Sequence, residues 1–261
     1  ANTQTVTGFD LANTTLSMTG AALINVTGAD ATGTADTLKI KQDVQGDVSN
    51  TVTVGTAVET LSITLDDTGA TVNNATFVLT NAAVGSIVVT EDAATTTTGT
   101  TVALGTLNAS VNSVDTSGVK GTQAFSVASA TAATTLTLAG TAVATVTGSA
   151  FADTFNVGST AGVTHVLAGG AGEDILNITA ATGLVNVGSI SAVENINIAV
   201  VAGNDITLTT SFHADVDNVV VTGGNSLSTL TTGTLVDTIQ SVDASAFTGN
   251  IVAAVIADKL D

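Results

Sequence analysis

Two long segments of the sequence repeat each other, and this repetition constrains the fold more than any other feature. The segment TTLSMTGAALINVTG begins at Thr14, and TTLTLAGTAVATVTG begins at Thr134, 120 residues later. The segment GTLNASVNSVD at Gly105 likewise matches GTLVDTIQSVD at Gly233. Self-similarity at a fixed period is typical of repeat architectures. The sequence therefore predicts two tandem units, residues 1–133 with an N-terminal lead-in and residues 134–261, which could also form one continuous solenoid.

A shorter motif marks a difference between the two units. ADTLKI around Asp36 recurs as ADTFNV around Asp153, and DILNI follows at Asp174, 21 residues further on. The segment VETLSI at Val58 matches VENINI at Val193. The spacing predicts that the second unit contains an inserted glycine–aspartate turn over about residues 148–177.

The local pattern is that of short β-strands. Segments such as TLKIK, TLSITL and INIAV alternate apolar and polar residues, and Gly, Asn and Asp separate them. Only 3% of the residues are aromatic, and Trp and Tyr are absent. Such a chain must build its core from small β-branched and aliphatic residues, which favours many thin layers. We expect an all-β fold, a right-handed parallel β-helix or β-solenoid with calcium-binding turns; tandem β-sandwich domains are the alternative.

The charge balance limits the partners. The net charge is −18, from 22 acidic residues against four Lys. A chain without a basic surface is not expected to bind nucleic acid. The acidic residues need counter-ions, and Ca²⁺ is the natural choice for ligands that are all oxygen. No Cys is available for disulfides, and no apolar run is long enough for a membrane span.

Neither terminus carries a recognisable signal. The first residues, ANTQTVTGFD, lack the basic and apolar regions of a signal peptide, and the last residues, VIADKLD, form no closing element. We therefore expect the sequence to belong to a longer chain whose targeting signal lies elsewhere.

The most specific motif is GGAGEDILN, which begins at Gly169. It matches the pattern G-G-x-G-x-D-x-U-x at each fixed position, with Gly169, Gly170, Gly172, Asp174 and Leu176. Glycines permit a tight turn whose carbonyl groups point inward, and the Asp supplies a carboxylate. Two stacked turns can supply the six to eight oxygen ligands that Ca²⁺ requires.

A degenerate copy, GSAFADTFN, lies 21 residues earlier. It keeps Gly148 and Asp153, but Phe151 replaces a glycine of the pattern. We predict that Asp153 and Asp174 lie on neighbouring turns with a calcium ion between or beside them. Weaker metal candidates are Asp36, Asp205, Asp215, Asp217 and Asp258.

Other interpretations of these residues are less consistent with the sequence. A dinucleotide-binding loop leads into a helix, whereas a strand-like segment follows Gly172. An ordinary glycine turn with a solvated Asp remains an alternative. His213 lies in HADVD, which could bind a metal or form a surface loop. Catalytic Ser-His-Asp or HExxH arrangements are absent, so we expect no enzymatic activity. The Thr-rich strands are too irregular for ice binding.

The turn GGAGEDILN, followed by VENINI, NVVVTGG and SVDASAFTGN, resembles the RTX-type bacterial surface-layer (S-layer) proteins, such as that of Caulobacter, and related large RTX adhesins. The resemblance implies type I secretion, an extracellular location on the cell surface, calcium-driven folding, self-association into a protective lattice, and contact with lipopolysaccharide through other regions. A glycan-binding adhesin segment and a non-catalytic repeat region of a secreted RTX enzyme are the alternatives. The calcium ligands that it implies are Gly148, Ala150, Asp153, Gly169, Ala171, Gly172 and Asp174.

Overall fold

The computed structural model describes most of the chain. The described residues are 3–7, 15–20, 23–27, 35–54, 58–67, 73–80, 84–92, 99–158, 165–181, 183–185, 189–208, 215–232 and 239–253. The chain divides into two compact units, unit 1 from Ala1 to Thr134 and unit 2 from Thr135 to Asp261.

Unit 1 consists of strands that alternate between two sheets. Sheet 1 has the strand order β1-β3-β5-β7-β9-β11, and sheet 2 has the order β2-β4-β6-β8-β10. The strands are β1 (Thr3–Thr7), β2 (Thr15–Thr19), β3 (Leu23–Thr27), β4 (Thr37–Asp43), β5 (Val48–Val54), β6 (Thr60–Asp66), β7 (Asn74–Thr80), β8 (Ser86–Glu91), β9 (Thr101–Thr106), β10 (Ser113–Gly118) and β11 (Gln123–Ser126).

Unit 2 follows the same principle with three sheets. Sheet 3 has the order β13-β15-β18, sheet 4 the order β12-β14-β16-β19-β21-β23, and sheet 5 the order β17-β20-β22-β24. The strands are β12 (Thr135–Leu138), β13 (Ala144–Thr147), β14 (Thr154–Val157), β15 (Val166–Ala168), β16 (Ile175–Ala181), β17 (Gly183–Val185), β18 (Ser189–Ser191), β19 (Asn195–Val200), β20 (Ile206–Leu208), β21 (Asn218–Gly223), β22 (Thr229–Thr232), β23 (Ser241–Phe247) and β24 (Asn250–Ala253).

The strand pairing confirms the β-solenoid. Each described pair within the two units is parallel, for example β4 with β6 and β14 with β16. Because parallel neighbours need a crossover connection, the chain visits another sheet before it returns one strand further on. This pairing is inconsistent with the antiparallel sheets of tandem β-sandwiches. The right-handed sense of the solenoid and the calcium-binding turns stay predictions.

The alternation of apolar and polar residues in the sequence determines which side chains form the core. In unit 1, Leu38 and Ile40 point inward and pair in register with Leu61 and Ile63 of the next turn, and all four are at most 1% exposed. In unit 2, Phe155 pairs in register with Leu176 and is fully buried. Successive turns therefore stack like side chains upon one another, and thin apolar columns form the core.

The outward face of sheet 4 is ordered by amide groups. Asn177 donates from its side chain to the side-chain oxygen of Asn156 at 2.9 Å, and Asn197 donates to Asn177 at 2.9 Å. In-register strands place identical side chains at the same height, so each amide can both donate and accept.

The structural repeat is much shorter than the 120-residue repeat of the sequence. Residues paired between neighbouring strands are 23 to 28 residues apart in sheet 2 and 19 to 24 residues apart in sheet 4. The 21-residue spacing of Asp153 and Asp174 is therefore one complete turn of the solenoid.

One histidine is buried among these layers. His165 is 3% exposed, and its Nδ1 accepts a hydrogen bond from the backbone N–H of Ala144 at 3.2 Å. Burial lowers the pKa of His165 to about 4, because the charged form loses its hydration. His213 lies outside the described residues.

We expect His165 to destabilise the fold in acid. Between about pH 6.5 and 4 the unfolded chain binds a proton at this residue and the folded chain does not, so stability falls as the pH falls, by an amount on the order of 2 kcal/mol. Urea denaturation of the wild type and His165→Gln at pH 6.5 and 4.5 measures this. The variant should lose less stability than the wild type over this interval; equal losses would contradict the expectation.

Candidate functional site

The two glycine–aspartate motifs form stacked turns in unit 2. Residues 148–153 connect β13 to β14, and residues 169–174 connect β15 to β16. The N–H of Gly148 donates to the carbonyl of Ala168 at 2.7 Å, and the N–H of Ala171 donates to the carbonyl of Ser149 at 3.1 Å. The structure thus brings the two motifs together on adjacent turns.

Three glycines of the second turn, Gly169, Gly170 and Gly172, meet the backbone of neighbouring turns too closely for any side chain. Gly170 has a φ of 113°, and a Cβ there would overlap the carbonyl oxygen of Ser149. A Cβ on Gly169 would overlap both the carbonyl oxygen of Ala192 and Oδ2 of Asp174. Two oxygens therefore converge on the side of Gly169 that lacks a side chain. Gly172 and the flanking Ala150 and Ala171 lie exposed on the two turns.

The two aspartates are both fully buried but differ in their hydrogen bonds. Asp153 accepts from the N–H of Ser149 at 2.5 Å through Oδ2 and from the Ser149 hydroxyl at 3.0 Å through Oδ1. Asp174 Oδ1 accepts from the N–H of Asp153 at 2.6 Å. Its Oδ2 has no hydrogen-bond partner within the described part of the chain. Such an orphaned carboxylate oxygen is costly to bury.

The electrostatic setting of Asp174 reflects this cost. The pKa of its carboxyl group is raised to about 6, chiefly by burial and in addition by the neighbouring carboxylates of Asp153, Glu194 and Glu173. The hydrogen bond from the N–H of Asp153 acts in the opposite direction. The site therefore favours either a proton or another positive charge beside Asp174.

A third turn follows at residues 192–194 and completes the surroundings of Asp174. Ala192 has a φ of 49°, which is strained for a residue with a side chain. Its N–H donates to Oδ2 of Asp215 at 2.7 Å. Asp215 thereby helps to hold the backbone conformation that directs the Ala192 carbonyl towards Gly169.

Acidic residues directly before a strand also cap the preceding turn. Glu194 Oε2 accepts from the N–H of Asp174 at 2.8 Å, and Glu59 Oε2 accepts from the N–H of Asp36 at 2.8 Å. We call Asp174, Glu194 and Glu59 the carboxylate caps, since each accepts the N–H of the equivalent residue one turn earlier. Sequence reasoning missed this role for the two Glu residues. The signal was an acid at the same place in VETLSI, VENINI and ADTFNV.

The weaker metal candidates within the described residues make structural contacts of their own. Asp36 lies in unit 1 and donates its N–H to Glu59. Asp205 accepts from the N–H of Thr229 at 2.8 Å. The backbone N–H of Asp217 donates to the carbonyl of Glu194 at 2.8 Å. Asp258 lies outside the described residues.

Unit 1 carries further acidic groups that sequence reasoning did not single out. Lys41 Nζ lies 2.9 Å from Asp66 Oδ2 and 3.0 Å from Asp92 Oδ2. These carboxylates raise the pKa of Lys41 through hydrogen bonds. Glu91 Oε1 accepts from the N–H of Thr100 at 2.8 Å. The Lys41 contacts connect three successive turns, and the Glu91 contact connects the end of β8 to the residue before β9.

The second turn partly fits a calcium ion. It offers the orphaned Oδ2 of Asp174 and the carbonyl oxygen of Ala192 on one side of Gly169. In the described ranges no three carboxylate or imidazole side chains converge as a metal-binding group. A cation there would take its remaining ligands from backbone carbonyls and water, which Ca²⁺ accepts.

Comparisons with protein-family models, with curated proteins and with solved structures gave no match to this chain. The part of the chain that the structure describes holds no helix of the length and apolar character that a membrane crossing requires.

We expect the carboxylate cap of Glu59 to stabilise unit 1. Glu59→Ala leaves the Asp36 N–H without its carboxylate, and we expect a loss of about 1–2 kcal/mol in the free energy of unfolding. Glu59→Gln keeps an oxygen that can accept the bond and should cost less than half as much. Denaturant titration measures stability, and hydrogen exchange of the Asp36 amide reports the contact itself.

The exposed Glu173 provides the matched control, since Glu173→Ala removes the same charge from a turn. Equal stabilities of Glu59→Ala and Glu173→Ala, with unchanged exchange of the Asp36 amide, would show that the cap contributes nothing.

Proposed function

We propose that this chain is a non-enzymatic structural module of a secreted, calcium-stabilised bacterial surface-layer protein. The observation that carries the proposal is the buried, orphaned Oδ2 of Asp174 in a turn that matches the RTX pattern. The turn stacks on a second acidic turn within a parallel β-solenoid. An acidic solenoid whose turn carries an uncompensated buried carboxylate suits a structural role outside the cell.

In this proposal Asp174 holds the calcium ion together with backbone carbonyl oxygens of the stacked turns, among them that of Ala192. When bound, the ion supplies positive charge that offsets the buried carboxylate. Asp215 keeps the Ala192 carbonyl in place, and Gly169 leaves room for the oxygens to converge. The glycine turn would then be rigid only with its ion, which couples folding to calcium binding.

The charge of the chain favours folding where calcium is abundant. With a net charge of −18, the compact state is opposed by its own repulsion. Extracellular calcium reduces this repulsion, whereas a calcium-poor cytoplasm leaves the chain poorly folded. Type I secretion, which the RTX resemblance implies, agrees with a chain that folds after export.

Self-association is the second part of the proposal. In β24, Ile251 is 46% exposed and Val252 is 55% exposed. Apolar side chains exposed on a strand are suited to contact with another chain. We therefore propose that copies of the protein associate in a lattice, while other regions contact the cell-surface polysaccharide.

Calcium should stabilise the fold through Asp174. Saturation at 100 times the dissociation constant adds about 2.7 kcal/mol to the free energy of unfolding, so the melting temperature followed by circular dichroism should rise. Asp174→Asn should lose most of this rise, whereas Glu173→Gln, which removes the same charge next to it, should keep it. Identical melting of the wild type in excess chelator and in calcium would overturn the proposal.

The proposed contact predicts that Val252→Asp weakens association. Sedimentation velocity in calcium should show larger species for the wild type than for the variant, because a charge at this exposed apolar position opposes contact with another chain. The exposed substitution Leu227→Asp serves as the control, since Leu227 is 78% exposed on a turn. A wild type that stays monomeric at high concentration in calcium would contradict the lattice.

A further inference from the structure

The two stacked turns carry the same acid but differ at the second position of the motif. Ser149 occupies this position in the first turn, and Gly170 occupies it in the second. Ser149 donates both its N–H and its hydroxyl to Asp153, one to each carboxylate oxygen, at 2.5 and 3.0 Å. Ser149 is itself 4% exposed, so this contact lies within the packed turn.

The hydroxyl is held in place by a further contact. Ser149 Oγ accepts a hydrogen bond from the N–H of Phe151 at 3.1 Å while it donates to Asp153. The serine thus spans its own turn and compensates the buried carboxylate with two donors. A cation approaching Asp153 would have to displace these donors, and hydrogen bonds to a charged group are among the stronger ones.

The second turn cannot use the same solution. Gly170 has a φ of 113°, and any Cβ there would overlap the carbonyl oxygen of Ser149. No side chain can therefore donate to Asp174 from this position. The carboxyl group of Asp174 is fully buried, yet its Oδ2 has no hydrogen-bond partner in the described residues. Because the turns are stacked, a side chain at the second motif position can donate to the carboxylate in the first turn but not in the second.

We infer that Ser149 takes the place of a bound cation in the first turn, so that the pair of stacked turns holds one calcium ion, at Asp174, rather than two. This inference rests on the proposed function for the ion at Asp174. The first turn is a calcium-independent element whose carboxylate is compensated within the chain. The sequence prediction that Gly148, Ala150 and Asp153 supply calcium ligands does not hold under this inference.

Equilibrium dialysis with radioactive calcium tests the inference by counting ions per chain at saturating CaCl₂. Asp174→Asn should bind one ion fewer than the wild type, and Asp153→Asn should bind the same number. Ser149→Ala removes the hydroxyl that donates to Oδ1 of Asp153 and keeps the backbone N–H on Oδ2; it should bind one ion more. Calcium should also raise the melting temperature of this variant by more than that of the wild type. A cooperative melting transition shows at the same time that the variant folds. Ser189→Ala, which removes an exposed hydroxyl from β18, is the control.

The outcomes separate the two proposals. Loss of an ion in Asp153→Asn, or an unchanged count and melting gain in Ser149→Ala, would overturn the role of Ser149 and leave the calcium proposal standing. Calcium binding by Ser149→Ala but not by the wild type would overturn the proposed function and support the role of Ser149. Absence of calcium binding in all variants would overturn both.

Discussion

The backbone hydrogen bonds between successive parallel strands are the interaction on which each unit depends. A single turn of the solenoid has no depth of its own, so its apolar side chains are buried only when the next turn lies in register above them. Leu38 over Leu61 and Phe155 over Leu176 show the result. Because each layer is thin, small aliphatic residues fill it, and a chain with 3% aromatic residues can still form a continuous core.

Parallel stacking creates a problem at the corners, where the chain leaves one sheet and enters the next. Backbone N–H groups there need acceptors, and buried groups without partners are costly. The carboxylate caps solve this in both units, since Glu59 and Glu194 each accept the N–H of the equivalent residue one turn earlier. An acid at this position is therefore part of the stacking itself, and the negative charge of the chain is partly a consequence of its fold.

Capping by acidic residues on consecutive turns also brings their carboxylates close together. Asp153, Asp174 and Glu194 occupy equivalent positions on three consecutive turns, and the pKa of Asp174 rises because it is buried next to like charges. The carboxylates of the first two turns differ in how their charge is compensated. Ser149 compensates Asp153 within its own turn, whereas Asp174 keeps one oxygen without a donor among the described residues. We propose that a calcium ion offsets the charge at that oxygen, since the chain has only four Lys.

The sequence by itself determined the β-solenoid, through its alternating strands, its lack of large aromatic residues and its repeats, and it placed Asp153 and Asp174 one turn apart. Those features are local or periodic, so they can be recognised without coordinates. Only the tertiary structure decided the true period of 19 to 28 residues, the capping by Glu59 and Glu194, and the difference between the two turns. The turns vary in length, which hides their period, and a carboxylate's partner depends on which backbone group lies above or below it. That neighbour is about 20 residues away in the chain and becomes known only when the turns are stacked.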